Sequence, residues 1–547
     1  MKGVVMVLSF LLMLPTISNG EEVSLDEKIG QMLMVWFEGS NITPEIERMI
    51  RDYKVGGVVL FRWAGNMESR EQIARLNTEL QAMSMKELGL PLFTSLDQEG
   101  GSVTRIPGAT DFPGNMALGA TGKKDYAYSV GNIIGRELSA LGINMDLAPV
   151  LDVNVNPKNP VIGLRSFGED PALVSELGRA YIDGLQSSGI IPVGKHFPGH
   201  GDTATDSHTG LPVVNYSRDT LERVHLKPFA DAIDEGLPCI MTAHITVDSI
   251  DKERPATLSK KVLSELLRKD LGFDGVIMTD AMDMAAISEY YGPIERAAVE
   301  AIKAGADIIL MPQYRDDWLG SIGKTINEIK TAVEEGEISE KRIDESYERI
   351  VALKKHISQP RIDPSIVGCE EHKEKELEIA RSAITIVRDE ANMIPLDISK
   401  KLLVVVPTST FSAAEDPSLD HNNPGHYIRE HYSNTKVVEV SSNPGFEDLR
   451  RAVSESTSSE AIIVFTQKGD INRGQITLTK KIFETGKPVI VVSMDVPYDL
   501  AELPEAKTCI AIYGKKECNM KALADILFDD AQAEGSLPVT IDFKTWL

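Results

Sequence analysis

The residues of this 547-residue chain best equipped for chemistry lie together in Lys195-His196-Phe197-Pro198-Gly199-His200-Gly201-Asp202-Thr203-Ala204-Thr205-Asp206-Ser207-His208. Pro198 and the glycines exclude a regular helix, so the segment reads as an irregular loop. It follows an apolar run, Gly189-Ile190-Ile191-Pro192-Val193-Gly194, that reads as the end of a buried strand. The carboxyl ends of strands are where parallel sheets place their chemistry. One use of these residues would be a metal site built from His196 and His200 with Asp202, Asp206 and His208. An i, i+4 pair of ligands is aligned only on a helix, however, and this segment cannot be one. The other use is acid/base catalysis. In Asp206-Ser207-His208 the carboxylate can bond one imidazole nitrogen, fix the tautomer and leave the second nitrogen for a substrate. Read alone, the loop is also compatible with buried histidines that merely satisfy one another.

The elements that must position this loop can be read from the alternation of short apolar runs with longer amphipathic ones. Strands are expected at 31–37, 57–61, 91–96, 144–147, 190–195, 238–243, 275–279 and 306–311. They are rich in Val, Ile, Leu and Met, as strands covered on both faces should be. Helical segments fall between them, for example 70–85, 171–187, 217–235 and 259–269. Eight β–α alternations predict a (β/α)₈ barrel. A doubly wound open sheet is the alternative, but no Gly-x-Gly-x-x-Gly turn follows the early strands. Residues 339–357 read as a closing helix, with Ser339 as N-cap and Ile343, Tyr347, Ile350, Val351 and Leu353 as its apolar stripe.

In a barrel the strand ends converge on one face. There the sequence supplies Asp97-Gln98-Glu99 with Arg105, then Arg165, Lys195-His196, His244 and Asp280. Taken singly, Asp97 or Glu99 reads as a solvated loop residue. The convergence of Asp97, Arg105, Arg165, Lys195, His196, Asp206, His208 and Asp280 reads instead as a site for a hydroxyl-rich or anionic ligand.

The second half carries strands expected at 383–387, 402–406, 436–440, 461–466, 488–493, 509–513 and 537–543, with helices between several of them. It reads as a smaller α/β sandwich domain and a structural partner of the barrel, with a long loop at 408–425. The expected division is a leader at 1–20, the barrel at 21–358, a linker at 359–372 and the sandwich at 373–547.

Net charge is −25, which disfavours nucleic acid and anionic membrane as partners. Lys2, the apolar residues from Val4 to Leu14, and Ser18-Asn19-Gly20 have the form of a secretory leader. Its apolar region is too short to span a bilayer, so an exported chain with no membrane span is expected after cleavage. Of the four cysteines, Cys239 lies in an apolar run and reads as a buried free thiol; this is not a disulfide scaffold.

The long loop, continuing to Leu211-Pro212, resembles the defining loop of the β-N-acetylglucosaminidases of glycoside hydrolase family 3. Asp97-Gln98-Glu99-Gly100-Gly101, Gly163-Leu164-Arg165-Ser166-Phe167-Gly168, Gly275-Val276-Ile277-Met278-Thr279-Asp280-Ala281-Met282 and Gly535-Ser536-Leu537-Pro538-Val539-Thr540 are similar to other stretches of that family. The resemblance implies a barrel followed by a sandwich domain. It implies that Asp280 is a nucleophile forming a covalent glycosyl-enzyme, that His208 is the acid/base and that Asp206 is its partner. Asp97, Arg105, Arg165, Lys195 and His196 would hold a terminal N-acetylglucosamine through its hydroxyls. The implied substrates are peptidoglycan fragments or chitooligosaccharides, with no cofactor and no metal, and a monomer is expected.

The residue types suit that chemistry. Retaining glycoside hydrolysis needs a carboxylate nucleophile and a group that first gives and then takes a proton. Asp280 suits the first role if hydrogen bonds and nearby Lys or Arg keep it ionised, and a histidine raised by Asp206 can fill the second. Phosphate as the attacking group in place of water, and a carbohydrate-binding barrel without catalysis, remain as alternatives.

Overall fold

The structure, a computed structural model, describes residues 23–311, 318–357, 363–397, 399–409, 423–469, 471–529 and 531–543. The expected leader, residues 359–362 of the expected linker and residues 410–422 of the expected long loop lie outside these. Eight strands form one parallel sheet: β1 (Leu33–Val35), β2 (Gly57–Val59), β3 (Phe93–Leu96), β4 (Met145–Asp146), β5 (Ile191–Phe197), β6 (Cys239–Thr242), β7 (Val276–Met278) and β8 (Ile309–Leu310). They pair in ring order, with β8 against β1, and a parallel bridge between Met278 and Ile308 joins β7 to β8. The result is a (β/α)₈ barrel. Each strand lies within one of the eight runs expected from sequence except β5, which extends two residues further and delivers Lys195 and His196 from inside the strand. Its register against β6 shifts between Gly194 and Phe197, where the strand turns into the loop.

The helices follow from local signals. Ser69 accepts from the Gln72 N–H to start Arg70–Leu88, and Gly89, at φ 67°, ends it in the left-handed conformation. Asp170 caps Pro171–Ser187 in the same way. The expected helix at 217–235 is broken instead into Arg218–Thr220, a widened turn at Leu221–His225, and Lys227–Asp234. Pro228 has no N–H to give to the preceding turn, and the Leu226 N–H reaches back to Leu221 O. Helix Glu340–Lys354 starts at Ser339 as expected and buries Ile343 and Ile350. It also sends Arg342 and Ser346 to the buried Asp307 at the amino end of β8, which Arg268 and Arg349 reach as well. A carboxylate so enclosed at the bottom of a barrel serves stability.

The second domain holds one six-stranded sheet: β9 (Thr385–Asp389), β10 (Leu402–Pro407), β11 (Thr435–Val440), β12 (Ala461–Thr466), β13 (Val489–Ser493) and β14 (Thr508–Ala511). The order is β9-β14-β13-β12-β10-β11, parallel except for β9, with apolar clusters on both faces. Together with the barrel this is the expected α/β architecture. The strand expected at 537–543 does not form. That segment instead bridges the two domains: Pro538 O accepts the Glu169 N–H and the Ser536 N–H donates to Ala120 O on the barrel, while Ile541 and Phe543 pack against the sheet. Pro538 has no N–H for a ladder, and Thr540 bonds Glu169 as well.

Other contacts also join the two domains. Lys516 Nζ meets Asp111 Oδ2 at 3.2 Å and Thr104 Oγ1 at 3.3 Å, and His372 Nδ1 meets Glu137 Oε1 at 2.7 Å. All four cysteines are free thiols, and Cys239 is buried. Among the described residues no helix is long and apolar enough to cross a membrane.

Candidate active site

The carboxyl ends of β3, β4, β5, β6 and β7 bring the expected residues to one face. Lys195 Nζ, buried at the end of β5, lies 2.7 Å from both Asp97 Oδ1 and Glu99 Oε1. Arg165 grips Glu99 with both arms of its guanidinium, Nε at 2.9 Å and Nη2 at 2.7 Å. Its Nη2 is also 3.5 Å from His196 Nε2. Arg105 lies beside this cluster, on the loop after β3, where its N–H donates to Gln98 Oε1 at 2.8 Å.

Glu99 corrects the sequence reading. It is not a solvated loop residue: its side chain is 1% exposed, and two cations enclose it. Burial raises its pKa, but Arg165 and Lys195 overcome that and hold the carboxyl far below its usual range. Lys195 in turn loses by burial and gains more from Asp97 and Glu99, so it stays above its ordinary value.

Asp152, fully buried after β4, was not singled out from sequence. Its Oδ2 accepts from His196 Nδ1 at 2.7 Å, and its Oδ1 accepts the His200 N–H at 2.6 Å. Burial raises Asp152, but the charges and hydrogen bonds of His196 and His200 bring it below the normal carboxylate value. Its bond to His196 leaves Nε2 facing Arg165. His200, which burial lowers to about 4, bonds Thr203 Oγ1 at 2.8 Å and Ser207 Oγ at 3.0 Å. The pair whose spacing raised the metal alternative is thus engaged in holding the loop. Among the described residues no three His, Cys, Asp or Glu side chains are grouped to hold a metal ion.

Ser207 is tied a second time, its carbonyl accepting the Ala286 N–H at 3.2 Å. It sits between the two residues of the dyad. His208 Nδ1 donates to Asp206 Oδ1 at 2.7 Å, and the His208 N–H meets the same oxygen at 2.9 Å. Burial lowers the His208 pKa, but the hydrogen bond and charge of Asp206, with the charge of Asp280, outweigh it and leave the imidazole above its ordinary value. Asp206 moves the other way, below its ordinary value. His208 is 36% exposed, so its Nε2 edge is open to a ligand.

Asp280 follows β7, and its Oδ1 accepts the Ala281 N–H at 2.7 Å. Burial raises its pKa; His196, His244 and His208, with that N–H, reverse this and hold it below its normal value. From sequence, hydrogen bonds together with Lys or Arg are expected in this task, and the Ala281 N–H supplies the hydrogen bond. Histidines take the place of Lys and Arg, because Lys195 and Arg165 are engaged by Asp97 and Glu99. His244 supports the same turn, its Nε2 donating to Ala281 O at 3.0 Å.

The arrangement therefore offers an ionised, partly exposed strand-end carboxylate, an imidazole with raised proton affinity, and a floor of hydrogen-bonding groups. That set of groups can combine a nucleophilic displacement with proton transfer.

Comparison with known proteins identifies the family. Residues 24–353 match the glycosyl hydrolase family 3 N terminal domain. The chain is 35% identical to beta-hexosaminidase A of Pseudoalteromonas piscicida, over 92% of each chain. It is 26% identical to the beta-N-acetylglucosaminidase/beta-glucosidase of Cellulomonas fimi, over 96% of this chain and 95% of that one. Among solved structures, the glycoside hydrolase family 3 beta-N-acetylglucosaminidase from Paenibacillus sp. str. FPU-7 superposes with a TM-score of 0.88 at 35% identity, covering 96% of this chain and 100% of that one. On these matches and on its barrel-plus-sandwich architecture, the chain belongs to glycoside hydrolase family 3 and is a glycoside hydrolase.

Proposed function

We propose that the protein is a retaining exo-β-N-acetylglucosaminidase that removes terminal N-acetylglucosamine from peptidoglycan fragments or chitooligosaccharides after export. The relatives named above support the sugar. One feature of the site carries the division of labour. Of the carboxylates around Asp280, Glu99 is engaged by Arg165 and Lys195, Asp97 by Lys195 and Asp152 by His196, while Asp146, which burial pushes well above its ordinary value, is shut away from solvent behind the Gln98 N–H. Glu99 and Asp152 are held below the usual carboxylate range and Asp146 is fully buried, so none of these three can protonate a leaving group. His208, raised by Asp206, is the group that can.

In the first step Asp280 attacks the anomeric carbon as the bond to the leaving oxygen breaks, and His208 Nε2 delivers its proton to that oxygen. In the second, neutral His208 takes a proton from water, whose oxygen attacks the same carbon and releases Asp280 as a carboxylate. Asp97, Arg105, Arg165, Lys195 and His196 hold the sugar hydroxyls. Water is favoured over phosphate as the acceptor because Arg165 and Lys195 are neutralised by Glu99 and Asp97 and exert little pull on an anion.

The test is release of p-nitrophenol from the N-acetyl-β-glucosaminide and the β-glucoside in parallel. The reading expects strong preference for the first. Equal or greater turnover of the glucoside would overturn the assigned sugar.

A further inference from the structure

Among the described residues, the ionisable groups of the site lie at the ends of β3 to β7, and aromatic rings follow β1 and β2. Trp36 directly follows β1, and Phe61 and Trp63 follow β2. β2 pairs with β3, whose end carries Asp97. β1 pairs with β8, which the Met278–Ile308 bridge joins to β7 and hence to Asp280. The aromatic sector thus spans the mouth between Asp97 and Asp280.

The rings form one cluster, with Phe61 stacked on Trp63 and Trp36 tilted against it. Trp36 and Trp63 have centroids 4.9 Å apart at 53°, and Phe61 and Trp63 are 5.2 Å apart at 28°. Trp36 and Phe61 are buried, whereas Trp63 is 50% exposed. The shelf is also fixed in place. Asn66, fully buried, accepts from the Phe61 N–H at 3.1 Å and donates to Phe37 O at 3.0 Å and Gly39 O at 2.8 Å. The Gly39 N–H reaches Ala64 O at 2.8 Å, a second tie between the same two loops. Burying an amide to brace two loops that present a half-exposed indole is more than packing alone requires. Arg62 stands between the aromatic residues, and its Nη1 is buried without a hydrogen-bond partner among the described residues. Closed off from solvent, that nitrogen is out of a ligand's reach.

We propose that Trp63, backed by Trp36 and Phe61, is the platform of a leaving-group subsite, on which the pyranose ring beyond the cleaved bond stacks. A β-linked glucopyranose ring carries its axial C–H bonds on both faces, and these are the apolar surface an indole accepts. The subsite rests on the glycosidase reading above and deepens it: the natural leaving group is a sugar ring, not a small alcohol.

The experiment compares kcat/KM for N,N'-diacetylchitobiose with that for methyl N-acetyl-β-glucosaminide, reading free N-acetylglucosamine by chromatography. Both have alkoxide leaving groups, but only the first presents a ring. In Trp63→Ala the chitobiose-to-methyl ratio is expected to fall about tenfold, and Trp63→Phe should restore most of it. An unchanged ratio, or equal losses on both substrates, would overturn the subsite while leaving the enzyme's specificity in place. A wild-type protein that cleaves neither substrate would overturn the N-acetylglucosaminidase reading and the subsite with it.

Discussion

Glu99 offers the sharpest test of how the site is held together. Glu99→Gln keeps the shape and removes the charge, leaving Arg165 and Lys195 buried with only Asp97 to offset them. Breaking a buried ion pair by neutralising one partner costs about 3–5 kcal/mol. Unfolding entropy of about 2.1 cal/mol/K per residue gives a barrel of roughly 300 residues about 0.6 kcal/mol/K. The melting temperature should therefore drop by about 5–8 °C at pH 7. The pH dependence has a definite sign. Because the folded pKa of Glu99 is depressed, its stabilisation is complete above the unfolded value and lost as the pH falls toward the folded one. The gap between wild type and variant should accordingly narrow below about pH 4. Scanning calorimetry across that range is the assay. A change of less than about 1 °C at pH 7, or a gap that widens in acid, would refute the claim that this carboxylate neutralises the two cations.

Three further outcomes are expected. The rate of glycoside cleavage should follow a bell, with an acid limb from Asp280 below the usual carboxylate value and an alkaline limb from His208 above that of free histidine; Asp206→Asn should move the alkaline limb to lower pH, and an unmoved limb would assign the acid elsewhere. Ser207→Ala removes the side-chain tie to His200 while keeping the backbone tie to Ala286, so kcat should fall about tenfold with KM little changed; a rise in KM alone would place Ser207 in binding. Lys516→Met leaves Asp111 facing its neighbour Glu376, which burial already pushes up to about 7, so the variant should lose about 1–3 kcal/mol near neutrality by calorimetry; an unchanged melt would show that the pair contributes little to the domain joint.

The barrel was legible because each strand is an apolar run buried on both faces, a pattern that survives even where pairing is as short as Met145–Asp146. The dyad was legible because Asp206 and His208 are two residues apart and can meet without help from the fold. Asp152 was not, since the groups it holds lie 44 and 48 positions away. Glu99 looks like any loop carboxylate until Arg165 and Lys195 arrive from other strands. The segment 537–543 alternates like a strand, but it divides its contacts between the barrel near Glu169 and the second domain's own sheet, which no local pattern reveals. Trp36 and Trp63 likewise meet only because β1 and β2 are neighbours.

The central claim is that Asp280 attacks the sugar. A fluorinated N-acetylglucosaminyl fluoride should trap the glycosyl-enzyme, and peptide mass spectrometry should then locate the added sugar. The account predicts the label on Asp280 and its disappearance in Asp280→Ala. A label on Glu99, Asp97 or any residue of the second domain would contradict it.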